Sequence, residues 1–315
     1  MAKTNTRRRP APVRPVQTPK KRQETRRLAG WAYALGGALL IVALAGGGFL
    51  LGKDNSNSGS AGPASSAGGL PNTRDYHSLL VAPSDPAHVL LGTHAGLYES
   101  TDGGRNWNQV ALEGQDAMNL ARSEGETVWT AGHNVLAKST DGGVTWSDVR
   151  PDGLPSLDVH GFAVDPRDGT LWAAVAGEGL YRSTDGGESF ALVLDEVGGN
   201  VMALAVTPEG RLLAGDMRQG LLASENEGED WRVAEPAAVT GLAINPDDPA
   251  VVIAGGPGIL RSTDGGASWR QVLELTDGAG PVAWSASDPE VGYAVGFDRT
   301  LYRTQDRGSS WQPVS

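Results

Sequence analysis

A stretch of eight residues that recurs six times constrains this chain more than any other feature. It reads Ser-Thr-Asp-Gly-Gly-x-x-Trp at 100–107, and the third positions of successive copies are separated by 39, 44, 41, 38 and 42 residues. A period of about 40 residues built from short β-rich runs is typical of a propeller blade. The third positions hold Asp102, Asp141, Asp185, Asn226, Asp264 and Asp306, and the closing positions hold Trp107, Trp146, Phe190, Trp231, Trp269 and Trp311.

Each copy has the composition of a tight turn that leads into a strand. The Asp carboxylate can accept hydrogen bonds from backbone N–H groups two or three residues on, and Gly supplies the positive φ that the turn needs. The aromatic residue that follows contributes about 1.5–3 kcal/mol of burial. A calcium loop is the alternative, but the alternating acids and terminal Glu of an EF-hand loop are missing. The pattern therefore favours a structural role.

The eight-residue stretches are called boxes below. The residues between successive boxes predict three further strands per repeat. An apolar run ends in a Pro or Asp turn, a second apolar run follows, and Gly-Leu-Tyr-x-Ser then leads into the box, as at 96–100. The sequence predicts an all-β fold, a six-bladed propeller over 72–315 with four-stranded antiparallel blades and the first strand nearest the axis.

The boxes resemble the Asp-box, or BNR, repeat of the sialidase superfamily. Sialidases would need an arginine triad, but Arg182, Arg261 and Arg303 precede boxes on third strands, away from the axis. Other superfamily members are glycoside hydrolases with two acids across a cleft. The chain also resembles the photosystem II assembly and stability factors, which are propellers that dock on membrane proteins. Sortilin-like receptors are similar too, but they have ten blades and a disulfide-rich module, and this chain contains no cysteine.

The first 71 residues predict a tail, an anchor and a linker. Residues 1–27 hold ten Lys/Arg against one acid, and residues 28–52 lack charge and are long enough to cross a bilayer. The positive-inside rule puts a disordered tail in the cytoplasm and the propeller outside it. A cleaved signal peptide is the alternative, but its apolar region would be shorter. Residues 53–71 are Gly, Ser and Ala-rich, as in a flexible linker.

The charge distribution argues against nucleic acid as a partner. The chain has 26 basic and 37 acidic residues; removing the 10 and 1 of residues 1–27 leaves 16 and 36, a net charge of −20. Nucleic-acid binding needs a basic surface. We expect instead a membrane attachment through residues 28–52 and a protein partner in the cell envelope.

Aligning the repeats by their boxes brings four of the five histidines to one face. The alignment places the following residues at the starts of the first strands: His77, Asp116, His160, Met202, Thr240 and Gly280. It places another six residues at the ends of the second strands: His94, His133, Gly177, Arg218, Gly256 and Asp298. Both sets fall on the face opposite the boxes. The predicted ligand-binding face consists of His77, His94, Asp116, His133, His160, Met202, Arg218 and Asp298.

Imidazole beside carboxylate or thioether is ligand chemistry for copper or zinc. The four histidines His77, His94, His133 and His160 are therefore candidate metal ligands; the alternative is that they simply line a wet channel mouth. No cofactor is required by the fold. The sequence predicts a non-catalytic binding or assembly module for a protein, metal or small ligand. The alternatives are a glycoside hydrolase and a copper-handling envelope protein.

Overall fold

The computed structural model describes residues 66–67, 69–195, 197 and 200–315. The predicted tail, the predicted span 28–52 and most of the predicted linker lie outside the described residues, so these remain predictions. Within the described ranges, we find no helix with the length and apolar character needed to span a bilayer.

The described residues form 25 strands in six sheets, and apart from a short added strand, β1 (Ser66–Ala67), each sheet takes four consecutive strands of the chain. The first three blades contain β2 (Tyr76–Val81), β3 (Val89–Thr93), β4 (Gly96–Ser100) and β5 (Asn106–Ala111); β6 (Asn119–Arg122), β7 (Val128–Gly132), β8 (Val135–Ser139) and β9 (Ser147–Asp148); β10 (Val159–Val164), β11 (Leu171–Val175), β12 (Gly179–Ser183) and β13 (Ala191–Leu194). The last three contain β14 (Val201–Val206), β15 (Leu212–Asp216), β16 (Gly220–Ser224) and β17 (Arg232–Glu235); β18 (Gly241–Ile244), β19 (Val252–Gly255), β20 (Gly258–Ser262) and β21 (Arg270–Glu274); β22 (Ala279–Trp284), β23 (Gly292–Gly296), β24 (Leu301–Thr304) and β25 (Gln312–Pro313).

All strand pairs within the blades are antiparallel, and the first strand of each blade contacts the first strands of its two neighbours around the axis. The second strands are buried along their whole length, as the runs VLLGT and LWAAV show. Apolar residues occupy both faces of these strands because each blade is packed between two others. The six-bladed propeller with four-stranded blades is confirmed.

Each box closes through a small network around its Ser or Thr and its Asp. In the first blade Ser100 Oγ accepts from the N–H of Gly104 (2.8 Å), and Asp102 Oδ1 accepts from the N–H groups of Arg105 (3.0 Å) and Asn106 (2.9 Å). Gly104 has a φ of +92°, and a Cβ there would lie 2.0 Å from Cδ2 of Leu301 in the last blade. This glycine therefore serves both the turn and the contact between blades.

Among the strands that the structure describes, none is shared between the first and last blades, and these two blades meet by packing and hydrogen bonds. The fully buried Tyr293 donates its hydroxyl to the carbonyl of Pro86 (2.8 Å), and its ring joins Tyr76, Leu79 and Leu301 in one apolar cluster across the seam. Strand β1 pairs with β5, so residues 66–67 at the end of the predicted linker lie against the first blade.

Two tryptophans within the second strands lie between blades. Trp129 and Trp172 are both 2% exposed. The ring of Trp129 faces the box glycine Gly187 of the third blade, and that of Trp172 faces Gly228 of the fourth. A Cβ at Gly187 would lie 2.8 Å from the Trp129 ring, so this tryptophan fills space that the glycine leaves open, whereas at Gly228 Leu180 lies closer than Trp172.

Candidate functional site

The candidate site lies where the first strands begin, at one mouth of the central channel. His77, His160 and Met202 each occupy the unpaired position of a β-bulge at the start of β2, β10 and β14. A bulge leaves one residue outside the ladder and can redirect its side chain. The three residues are therefore structurally equivalent, as predicted, and His77 and Met202 both line a small cavity between these strand starts.

The predicted equivalence of Asp116 with His77 is wrong by two residues. Leu79 pairs with Leu91, and the corresponding pair in the second blade is Leu120 with Thr130. Met118 therefore occupies the position of His77, and Asp116 that of Asp75. The reason is that the loop between first and second strands is shorter in the second blade, which shifts its first strand relative to the box. Asp116 nevertheless lies in the cluster.

Four of the six predicted second-strand ends are also placed differently from prediction: Gly177, Arg218, Gly256 and Asp298, of which Arg218 and Asp298 belong to the predicted ligand-binding face. The loops after β3 and β7 have two residues, whereas those after β15 and β23 have three. Met217 and Phe297, not Arg218 and Asp298, are therefore equivalent to His94 and His133. Arg218 and Asp298 are exposed, and among the described residues neither forms a hydrogen bond or ion pair with the histidines.

Backbone contacts between blades bring the second-strand ends to the next blade's acids. The N–H of Ala117 donates to the carbonyl of Thr93 (3.1 Å), which sets Asp116 beside His94. His133 forms a β-bridge with Asp158 in the third blade. Within the second blade, Gly132 lets the end of β7 lie close to Asp116, because a Cβ at Gly132 would lie 2.0 Å from the carbonyl oxygen of Asp116.

The resulting side-chain cluster runs across the first three blades as two triads. In the first triad, His94 Nδ1 lies 2.8 Å from His77 Nε2 and 2.9 Å from Asp116 Oδ1, and His77 Nε2 lies 3.9 Å from the same oxygen. The other carboxylate oxygen of Asp116, Oδ2, accepts a hydrogen bond from His133 Nδ1.

The second triad consists of His133, Asp158 and His160. His160 Nε2 lies 3.1 Å from both His133 Nε2 and Asp158 Oδ1, and His133 Nε2 lies 3.5 Å from that oxygen. All four predicted histidines therefore meet on one face, and Asp116 joins the two triads.

Burial sets the charge state of the deeper histidines. It lowers the pKa of His77 to about 4, an effect that the nearby Asp116 opposes. Burial also lowers the pKa of His160, with Asp158 acting in the opposite direction. Both imidazoles are therefore neutral at pH 7 and have a free lone pair, the form that binds metals and accepts hydrogen bonds.

Two carboxylates of the cluster, Asp75 and Asp158, were missed by the sequence reasoning. Asp75 Oδ2 lies 3.5 Å from His94 Nε2, and Asp158 completes the second triad. The signal was present as a repeated Asp-x-His at 75–77 and 158–160, with Asp-x-Met at 116–118. The fifth histidine, His88, lies outside the cluster, where it is half-buried and pairs with Glu99 at 2.6 Å.

The same mouth carries exposed apolar side chains on the later blades. Phe297 and Met217 are 50% and 49% exposed at the positions equivalent to His94. The ring of Phe297 lies over the start of β22, since a Cβ at Gly280 would lie 3.0 Å from it. A separate cavity of about 430 Å³ opens at the opposite mouth, lined by strand ends such as Leu80, Val164 and Pro208.

These features define an Asp-box propeller with a histidine-bearing mouth. A family model described as photosynthesis system II assembly factor YCF48 matches residues 73–313, and the chain belongs to that family. A curated relative, the photosystem II assembly lipoprotein Ycf48 of Synechococcus sp. (strain CC9902), is 28% identical over 248 residues, which cover 74% of each protein.

Solved structures support the fold at lower identity. YCF48 bound to a D1 peptide has a TM-score of 0.51 at 20% identity, covering 81% of this chain and 85% of that one. YCF48 from Cyanidioschyzon merolae gives 0.51 at 18%, with 80% and 88% covered. The GH74 xyloglucanase from Xanthomonas campestris gives 0.58 at 18%; the match covers 80% of this chain but 47% of the enzyme, so the chain spans about half its length. At these identities the likeness shows the fold alone.

Proposed function

We propose that this chain is a membrane-anchored, non-catalytic assembly factor of the cell envelope that binds a protein partner at the histidine-bearing mouth. Family membership over 73–313 is the observation that carries the proposal. A relative is named as a photosystem II assembly lipoprotein, and another YCF48 has been solved with a D1 peptide bound. The family relationship favours a binding role over a hydrolytic one, although a xyloglucanase shares the fold.

The mouth has the mixed character of a protein-binding surface. The first three blades supply hydrogen-bonding imidazoles and carboxylates, and the later blades supply Phe297 and Met217. Exposed aromatic and Met side chains beside a polar rim are the composition expected at interfaces. The propeller is acidic, so we propose that the partner segment is basic or neutral at its contact with this surface.

The proposed attachment to the membrane is the apolar stretch 28–52. The relative is named a lipoprotein, but the present sequence has no cysteine that could carry an S-linked lipid. A single span with its basic flank in the cytoplasm would place the propeller on the outer side of the membrane. Residues 53–65 would then give the propeller freedom to reach a partner at the membrane surface.

Position-specific cross-linking in membranes tests the proposed face. A photoreactive amino acid replaces Phe297 or Met217 in the full-length chain, and a matched control places it at Val144, which is 72% exposed within the box of the second blade. We expect one protein adduct from both mouth positions and none from Val144, with Phe297→Ser in the Met217 probe reducing the yield at least tenfold. Equal adducts from Val144, or none from either mouth position, would overturn the proposal.

A further inference from the structure

We propose that His77, His94 and Asp116 form a binding site for one divalent transition-metal ion of the zinc or copper type. The site joins the first two blades, and metal binding there does not depend on the proposed protein partner. Its ligands would be two imidazole nitrogens and one carboxylate oxygen.

The three ligand atoms lie close to the spacing that such an ion requires. Zinc bound tetrahedrally to nitrogen and oxygen at about 2.0–2.1 Å places neighbouring ligand atoms about 3.3 Å apart. The separations of His77 Nε2, His94 Nδ1 and Asp116 Oδ1 are 2.8, 2.9 and 3.9 Å. Binding an ion would require His94 to move outward from the other two groups, and His77 Nε2 and Asp116 Oδ1 to move closer together.

A buried carboxylate oxygen without a hydrogen bond supplies the second, independent observation. Asp116 is 9% exposed, and its Oδ1 receives no hydrogen bond from the described residues, although His94 Nδ1 lies 2.9 Å away. His94 Nδ1 can hold only one proton, and that nitrogen is already paired with His77 Nε2. Leaving a buried carboxylate oxygen unpaired is costly, whereas a cation among the three atoms would satisfy all of them at once.

The surrounding contacts hold the carboxylate in place. Asp116 Oδ2 accepts from His133 Nδ1, which leaves Oδ1 facing the two imidazoles. The backbone beside it is fixed by Ser78, whose hydroxyl donates to the carbonyl of Ala117 (2.9 Å). A ligating carboxylate that is itself hydrogen-bonded is the usual arrangement at metal sites. His94 is 36% exposed as a side chain, which gives an ion access from solvent.

Metal binding to the full-length chain tests this assignment. The protein, purified in detergent and treated with a chelator, is titrated with Zn²⁺ and in separate arms with Cu²⁺ and Co²⁺. We expect tight binding of Zn²⁺ or Cu²⁺, and intense visible absorption bands of tetrahedral type from Co²⁺. Asp116→Asn and His94→Ala should each lose one equivalent of metal. His133→Ala should weaken metal binding about 10–100-fold, because it removes the hydrogen bond that His133 donates to Asp116.

Two controls separate this site from its surroundings. His88→Ala removes a histidine outside the cluster and should leave binding unchanged, and His160→Ala should spare the equivalent that Asp116→Asn removes. Circular dichroism checks that the variants are folded; His94→Ala alters a partly exposed side chain and leaves the backbone contacts intact. Absence of Zn²⁺ and Cu²⁺ binding at micromolar concentrations, or unchanged stoichiometry in Asp116→Asn and His94→Ala, would refute the site.

Discussion

Asp116 Oδ2 accepts a hydrogen bond from Nδ1 of His133, a residue 17 positions further along the same blade. This contact decides which nitrogen of His133 carries the proton. With the proton on Nδ1, the Nε2 lone pair faces His160 Nε2 and Asp158. The second triad is therefore organised by a carboxylate that belongs to the first.

The tautomer of His133 is directly measurable. In the metal-free protein at pH 8, we expect the ¹⁵N chemical shifts of His133 to report a protonated Nδ1 and an unprotonated Nε2. Asp116→Ala removes the acceptor, so the protonated nitrogen should change to Nε2 or become mixed. His88, which contacts Glu99 and not Asp116, should keep its shifts. A His133 spectrum that is the same in both proteins would show that Asp116 does not set the tautomer.

Gly132→Ala should disturb both the site and the close contact between the end of β7 and the backbone of Asp116. The added Cβ would lie 2.0 Å from the backbone oxygen of Asp116, which cannot move without displacing the strand start. We expect a loss of about 2–3 kcal/mol in the free energy of unfolding, measured by urea denaturation. Gly161→Ala is the matched control, because the atoms nearest to its Cβ would be side-chain atoms, those of Leu204 and Val201 at 3.0 Å and of Ala174 at 3.3 Å. A similar cost for both substitutions would contradict this explanation.

The sequence predicts the blades better than it predicts the site. The reason is that the boxes depend on contacts between residues close in sequence, whereas the site depends on contacts between residues far apart in sequence. A box such as Ser100–Trp107 is a local turn whose hydrogen bonds span four residues or fewer, so its spacing reports the repeat directly. The mouth depends on first strands and hairpins whose loop lengths vary independently of the boxes. One extra hairpin residue moved Arg218 and Asp298 out of the predicted set. Asp75 and Asp158 needed the strand register, which box spacing does not contain.

The predicted span 28–52 gives a prediction for the intact protein in cells. We expect the full-length chain to remain in the membrane pellet after extraction at alkaline pH and to enter detergent. Protease added to spheroplasts should remove the propeller and leave the basic tail protected, because residues 1–27 are predicted to be cytoplasmic. A chain starting at residue 66 is the control and should be released. Release of the full-length chain by alkali would rule out a spanning anchor.

The low pKa values of the box aspartates should make the free energy of unfolding decrease as the pH falls. The side-chain amide of Asn106 and neighbouring N–H groups hold the pKa of Asp102 at about 2, and the hydroxyl of Ser268 does the same for Asp264. An unfolded Asp has a pKa of about 3.9, so the unfolded chain binds protons first as the pH falls. The stabilisation is complete above about pH 4 and is lost between about pH 4 and 2. Urea midpoints across this window should fall less steeply in Asp102→Asn/Asp264→Asn than in the unchanged chain; parallel curves would contradict the prediction.

In the fourth box the donor and the acceptor of one side-chain hydrogen bond are exchanged. This difference allows a paired test. In the other boxes the Asp carboxylate accepts from a side chain four residues on, such as Ser268 Oγ to Asp264 Oδ2 at 2.5 Å. Here Asn226 is the donor, and its Nδ2 lies 2.9 Å from Asp230 Oδ2. Asn226→Asp alone should therefore set two carboxylates against each other and cost about 1 kcal/mol. Adding Asp230→Ser supplies the missing hydroxyl donor and should recover that loss, so the two changes should couple favourably in a double-mutant cycle of urea denaturation. Additive effects would mean that the two side chains do not interact, and that the fourth box is held by its other contacts, such as the N–H groups of Gly228 and Asp230 that donate to Ser224 Oγ and Asn226 Oδ1.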